Sequence, residues 1–206
     1  MTLEIVFMRH GRSRADDENV HEGRYDSPLT HIGEAQARAR AARWVTAGVR
    51  FDMIISSPLL RARRTAEIMA EALGVRVEVD PDWMEFDNRP LAGLAFAVAD
   101  RDYPAPTFRN PYEPFFGVGE SDWEIYCRAA RAVEHVVRRG LDRTLVIAHG
   151  IILNTAFRTI VGVQPRMNRQ GIWFGLGDNG YAHFVYEPGR HEWVLLEFQS
   201  GELPAD

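Results

Sequence analysis

An α/β fold, with helices layered on both faces of a mostly parallel sheet, is predicted by three observations. Short β-branched apolar runs alternate along the chain with segments of helical periodicity. Two of those runs, Leu3–Met8 and Thr144–Ala148, stop abruptly at a histidine or arginine-histidine followed by glycine. The 206 residues are 46% hydrophobic and 26% charged, ordinary globular usage for one α/β domain.

The first strand is Leu3–Met8, ending at Arg9-His10-Gly11, and a polar, turn-rich surface loop is expected over 11–29. Thr30 suits the cap of a helix running to about Ala47, with Gly48 as its stop. Phe51–Ser56 reads as a second buried strand. Ser57-Pro58 then has the cap-and-proline pattern of a helix start, and Leu59, Ala62, Ala66, Ile68, Met69 and Leu73 supply a buried stripe before Gly74. Val75–Val79 is a third strand. Residues 80–119 break the alternation. Pro104, Pro106, Pro111 and Pro114, interleaved with Phe108, Tyr112, Phe115 and Phe116, resist regular structure, so a lid or insertion is expected at about 86–119 within a single domain spanning 1–206. Helical spacing returns over 122–139, with Trp123, Tyr126, Ala130, Val133 and Val137 as its expected buried stripe. The strand Thr144–Ala148, an apolar helix Ile151–Val161, and two closing strands at 181–186 and 192–198 complete the chain.

A formal net charge of −5 argues against a nucleic-acid or membrane-surface protein while leaving room for a local basic pocket. Cys127 stands alone, which excludes an internal disulfide and a cysteine-based zinc site and suits a reducing compartment. The N-terminal apolar run is too short for a signal peptide and contains Glu4, and no run reaches the ~20 residues of a membrane span, so a cytoplasmic location is expected. His21, His31, His135, His183 and His191 show no metal-ligand spacing. Gly175-Leu176-Gly177-Asp178-Asn179-Gly180 has dinucleotide-loop spacing, but the strand after it, where a helix would be required, makes it a turn.

In open α/β sheets ligands sit beyond the carboxyl ends of strands. His10 and His149 are both placed there, each before a glycine that permits close backbone approach. Arg61 falls in the first turn of its helix, where the partial positive charge of the helix N-terminus adds to the guanidinium fork. Together Arg9, His10, Arg61 and His149 make an anion pocket in an acidic chain, and phosphate is the anion best matched to such groups.

These residues carry a resemblance. Phe7-Met8-Arg9-His10-Gly11-Arg12-Ser13 resembles the opening of the histidine phosphatase superfamily, the phosphoglycerate mutase-like fold. Gly23-Arg24-Tyr25-Asp26-Ser27-Pro28-Leu29-Thr30 with Gly33, Gln36 and Ala37, Ser56-Ser57-Pro58-Leu59-Leu60-Arg61-Ala62 with Thr65-Ala66, Gly119-Glu120-Ser121, and Val146-Ile147-Ala148-His149-Gly150 resemble its later segments in the same order. The resemblance implies that His10 is the nucleophile taking the phosphoryl group, that Arg9, Arg61 and His149 hold the phosphoryl oxygens, and that Glu85 is the proton donor, with Asp87 as second choice. Trp83, Met84 and Phe86 would desolvate Glu85. Gly150, Asp16, Gly23 and Arg24 complete the expected phosphate and substrate contacts. No metal or other cofactor is implied.

Departures bear on substrate identity. Relatives often carry asparagine six residues beyond the histidine, where Asp16 stands and cannot donate when ionised. Arg12 replaces a frequent acidic or amide residue, and 88–94 lacks the Trp-Glu-Gly of many relatives. The expected activity is hydrolysis of a small phosphorylated metabolite through phosphohistidine. A phosphoglycerate mutase-type transferase and a non-catalytic phospho-ligand sensor are the alternatives, and a homodimer is an open possibility. Arg24, Arg101 and Arg109 are candidates for a second anionic group or for ordinary solvated charges.

Overall fold

The computed structural model describes residues 2–202. The elements run β1 (Leu3–Arg9), α1 (Arg14–Glu18), α2 (His31–Thr46), β2 (Met53–Ser56), α3 (Leu60–Leu73), β3 (Val77–Val79), α4 (Phe96–Asp102), α5 (Asp122–Arg138), β4 (Arg143–Ala148), α6 (Gly150–Ile160), β5 (Tyr181–Glu187) and β6 (Glu192–Gln199). The six strands form one sheet in the order β3-β2-β4-β1-β5-β6. The pairs β3–β2, β2–β4 and β4–β1 are parallel, whereas β5 runs antiparallel to β1 and β6 antiparallel to β5. The sheet is thus mixed, because a tight turn after β5 returns the chain directly and no crossover helix intervenes.

Strand alternation divides the core in two. Ile5, Phe7, Ile55 and Val146 pack with Ile125, Ala129, Ile152 and Phe157 on the face covered by α5 and α6. Val6, Met8, Ile54 and Leu145 point the other way, onto Ala41, Trp44, Ala62 and Met69 of α2 and α3. The three-layer arrangement follows. β1 and β4 are adjacent with Arg9 opposite Ala148, so His10 and His149 leave the sheet side by side.

Local expectations hold unevenly. Thr30 caps α2 by accepting from the Gly33 N–H at 3.0 Å. Ser57, expected to cap α3, does not; that helix begins at Leu60 after an extended Leu59. The loop after β1 contains the single-turn helix α1. The irregular stretch 80–119 contains α4, which the surrounding prolines conceal. The inward face of α5 is Ile125, Arg128, Ala129, Ala132, Val133 and Val136; the expected stripe shares Val133 with it, and Tyr126, Ala130 and Val137 each lie one position off. Trp123 and Tyr126 instead make an aromatic edge with Tyr112, which stacks on Trp123 at 5.5 Å. Residues 175–180 form a turn into β5. A side chain at Gly180 would come within 2.3 Å of the Ser200 carbonyl oxygen, so close strand approach requires glycine there.

Among the described residues no helix is long and apolar enough to cross a membrane, and no group of three or more His, Cys, Asp or Glu side chains is arranged to hold a metal ion.

Candidate active site

The floor of the site is laid by strand ends. β1 delivers Arg9 and His10, β4 delivers His149, and α3 begins just past β2 and turns Arg61 inward. His10, Arg61 and His149 are fully buried. The His10 and His149 rings meet edge to face with centroids 5.1 Å apart. The sequence-based grouping of these residues is therefore realised in space.

His10 is held as one neutral tautomer. Its Nδ1–H donates to the Gly11 carbonyl at 2.7 Å, leaving the lone pair on Nε2, which accepts from Arg61 Nε at 3.2 Å. Burial, reinforced by Arg61 and then Arg9, holds this imidazole well below its ordinary value of 6.5. The same burial, with Arg61, His10 and Arg9 nearby, keeps His149 uncharged. His149 Nε2 lies 2.7 Å from Ser57 Oγ. Ser57, read from sequence as a helix cap, instead orients the second histidine. His149 Nδ1 and Arg9 Nε are buried without a partner. Unpaired buried nitrogens are costly unless a ligand answers them; the Arg9 charge acts on His10, and the His149 ring packs on it.

Arg61 is clamped from the far side. Its Nη1 and Nη2 donate to the carbonyls of Tyr25 and Gly23, each at 2.8 Å. Gly23 thus reaches the pocket through its carbonyl, as an Arg61 partner. Its φ of +48° and the collision of any Cβ with the Asn88 side chain make glycine obligatory. Gly11 serves packing more than ligand approach, since a Cβ there would lie 2.6 Å from the Gly33 carbonyl oxygen.

Glu85 is almost fully buried at the N-terminus of α6. Its Oε1 accepts from the Phe86 and Ile152 N–H groups at 2.8 and 3.0 Å, and its Oε2 from Ile151 N–H at 3.0 Å. The apolar surroundings expected from Trp83, Met84 and Phe86 are answered by these backbone donors. Gly150 opens α6, and an added Cβ there would lie 4.0 Å from Glu85 Oε2. Arg128, unremarked in the sequence, holds the segment before Glu85. It donates to the Met84 carbonyl at 2.6 Å and to the Asp82 carbonyl at 2.8 Å while pairing with Glu120 at 2.7 and 2.8 Å.

Other candidates lie elsewhere. Asp16 does not hold its side chain on the nucleophile. Its Oδ2 accepts the Ser13 N–H at 2.7 Å as part of the α1 cap, and the residue lines a neighbouring cleft of about 680 Å³ that excludes His10 and Arg61. Arg24 lies beside the site, its Nε donating to the Glu85 carbonyl at 3.3 Å, and it pairs with Asp87 at 3.4 Å and Glu120 at 3.3 Å. Arg109 is bound by both oxygens of Asp122, and Arg101 pairs with Asp102. All three arginines are paired with carboxylates, Arg101 at the exposed surface. Asp87 is drawn to Arg24 and Arg89. Instead, Glu22 enters the pocket. Its Oε1 accepts from Ser13 Oγ and lies 3.4 Å from Arg61 Nε, and its Oε2 is 3.8 Å from His10 Nε2. A glutamate in a polar loop offers no periodic signal, and only the fold of residues 19–30 brings it inside.

Known proteins share both sequence and fold. The chain is 32% identical over 173 residues to the probable phosphoglycerate mutase GpmB of Escherichia fergusonii, covering 82% of this chain and 79% of that one. It is 28% identical over 174 residues to its Yersinia enterocolitica counterpart, with the same coverage. A mycobacterial glucosyl-3-phosphoglycerate phosphatase, solved with VO3, superposes with a TM-score of 0.79 at 22% identity, covering 96% of this chain and 99% of that one. Phosphoserine phosphatase of Entamoeba histolytica, in complex with 3-phosphoglyceric acid, gives 0.74 at 21% identity, covering 96% and 97%. The profile of the histidine phosphatase superfamily, branch 1, matches residues 5–199, and the chain belongs to that superfamily.

Proposed function

We propose that the protein is a phosphomonoester hydrolase that needs no metal and works through a phosphohistidine on His10. The observation that carries this reading is the His10 tautomer: Nδ1–H is tied to Gly11 and the Nε2 lone pair faces Arg61, so a buried neutral nitrogen is ready to attack phosphorus. In the first step Nε2 bonds to phosphorus, the ester P–O bond breaks, and the leaving oxygen takes a proton. Arg9, Arg61 and His149 hold the phosphoryl oxygens and stabilise the charge spread over them, the work a cation does in other phosphoryl transfers. Glu85 is the proton carrier, and Oε2, with one N–H contact against two on Oε1, is the oxygen that would bear the proton. In the second step Glu85 takes a proton from water, whose oxygen attacks phosphorus and frees His10.

A small phosphorylated metabolite suits a fully buried nucleophile, which a bulky protein surface reaches poorly. The phosphatases of like fold support hydrolysis, whereas the curated relatives' names favour a phosphoglycerate mutase. The test is hydrolysis of p-nitrophenyl phosphate in EDTA by wild type and His10→Ala, run beside a phosphoglycerate mutase assay. Turnover in wild type and none in the variant supports the reading. A metal requirement, full activity of His10→Ala, or mutase activity without hydrolysis overturns it.

A further inference from the structure

Glu22 sets an unusual problem for an anion site. Its carboxylate lies among the groups expected to receive a phosphoryl group: Ser13 Oγ donates to it, Arg61 Nε is 3.4 Å away, and His10 Nε2 is 3.8 Å away. Its side chain is only 18% exposed. The arginines are already opposed by carboxylates, Arg61 by Glu22 and Arg9 by Asp178 at 4.0 Å. His10 and His149 carry no compensating charge, because burial holds both neutral. A phosphomonoester dianion entering here meets a carboxylate at close quarters, and two like charges in a shared dry site are strongly disfavoured. Either the loop carrying Glu22 gives way or one proton is shared.

The loop is fixed. The Gly23 and Tyr25 carbonyls are both bound by Arg61, Asp26 Oδ1 accepts from the Leu60 N–H at 2.7 Å, and His21 packs edge to face on Phe96 with centroids 4.8 Å apart. A shared proton is the simpler answer. We infer that Glu22 is a specificity-determining residue that selects the monoanionic form of the phosphoryl group, accepting a hydrogen bond from its P–OH. This rests on the proposed phosphoryl site but not on turnover. The selected form is the one phosphomonoesters adopt below their second ionisation, at about pH 6.

The charged and titratable groups around Glu22 agree with this assignment. Those in contact with it are His10 after β1, Ser13 at the start of α1 and Arg61 of α3; Arg9, Glu85 and His149 are the other charged or titratable groups of the site, with Asp16 in the cleft beside it. Burial, with Arg61 beside them, shifts both histidines toward the neutral form, the form in which His10 is a nucleophile. Asp178, pushed up to about 6 by burial, loses its hold on Arg9 over the range where the monoanion prevails and favours anion binding there too.

The test uses Glu22→Gln, which keeps shape and removes the charge. For wild type, kcat/KM on p-nitrophenyl phosphate falls about tenfold per pH unit on the alkaline side. In Glu22→Gln that limb moves up by about one pH unit or more, and kcat/KM at pH 8 rises about tenfold or more above wild type. Superimposable profiles, or a loss in the variant that is equal at every pH, would overturn the assignment. Calorimetric binding of inorganic phosphate at pH 5.5 and 8 separates this from the fate of the hydrolase reading. Even if no ester is hydrolysed, wild type should bind phosphate about tenfold more weakly at pH 8 than at pH 5.5, and Glu22→Gln should recover most of that loss. Equal binding by the two proteins at pH 8 overturns it. A thermal melt of the variant within a few degrees of wild type establishes that both comparisons are between folded proteins.

Discussion

The floor of the pocket and the proline-rich rim beside α5, residues 103–119, are built on different principles. On the floor, Arg61 is satisfied on three nitrogens, His10 on both, and all three principal side chains are buried. Over 103–119, Phe108 and Tyr112 are largely exposed, and order depends on a few contacts such as Arg109 with Asp122 and Phe115 against Phe116. The floor hangs from parallel strands whose register is fixed by core packing. The rim hangs from its own turns. Scaffold-borne groups can be held to the tolerance that phosphoryl transfer demands, whereas loop-borne groups are free to differ between relatives.

That contrast can be broken most directly at Arg61. Arg61→Ala should lower kcat by about 100- to 1,000-fold, as loss of one preorganised donor to developing charge does, measured by steady-state hydrolysis. A loss of less than about tenfold would put the floor on a par with the rim. The variant also strips partners from the Gly23 and Tyr25 carbonyls, so its thermal melt should fall as well.

A smaller effect sharpens the comparison through pH. His10 and His149 remain neutral in the fold but take protons in the unfolded chain below about 6.5. Their contribution is complete above that value and declines as pH falls toward the depressed native values. Each should remove about 1.4 kcal/mol per pH unit in that window. Denaturant melts at pH 7.5, 6 and 5 measure it, and His149→Gln should flatten the slope by one such increment. An unchanged slope would mean that the second histidine is protonated in the fold.

The smallest change belongs to the rim. Tyr112 is 69% exposed, so Tyr112→Ala should cost less than about 0.5 kcal/mol of stability and leave kcat on p-nitrophenyl phosphate unchanged. Any effect should appear in KM for larger esters. A fall in kcat equal to that of Arg61→Ala would erase the distinction between the two regions.

How far the sequence foretold this follows the same division. Arg9, His10, Arg61 and His149 were legible because strand periodicity ends at them and strand ends converge in an α/β sheet. Arg128 was not, because an arginine on a helix looks like a solvated charge until α5 packs against the turn before Glu85 and Glu120 pairs with it. Trp123 and Tyr126 misled the reading of α5, since large aromatics look buried while their partners are on the rim. α4 was hidden because seven residues with no side-chain cap leave little pattern among prolines. Glu22 illustrates the limit most plainly: Gly23 and Arg24 beside it were marked, but its own role lies in long-range contacts with Arg61 and His10 that its position along the chain does not reveal.

The pairing of Arg9 with Ala148 has a consequence for descent. The reactive groups are inherited with the sheet itself, since a one-residue slip between these strands would turn every side chain of the shifted strand onto the opposite face and scatter the site. The segment from 103 to 119 carries no such obligation. A lineage of proteins on this plan can rewrite that segment repeatedly, acquiring new preferences without relearning its chemistry, and its members will drift apart first in what they choose and last in how they act.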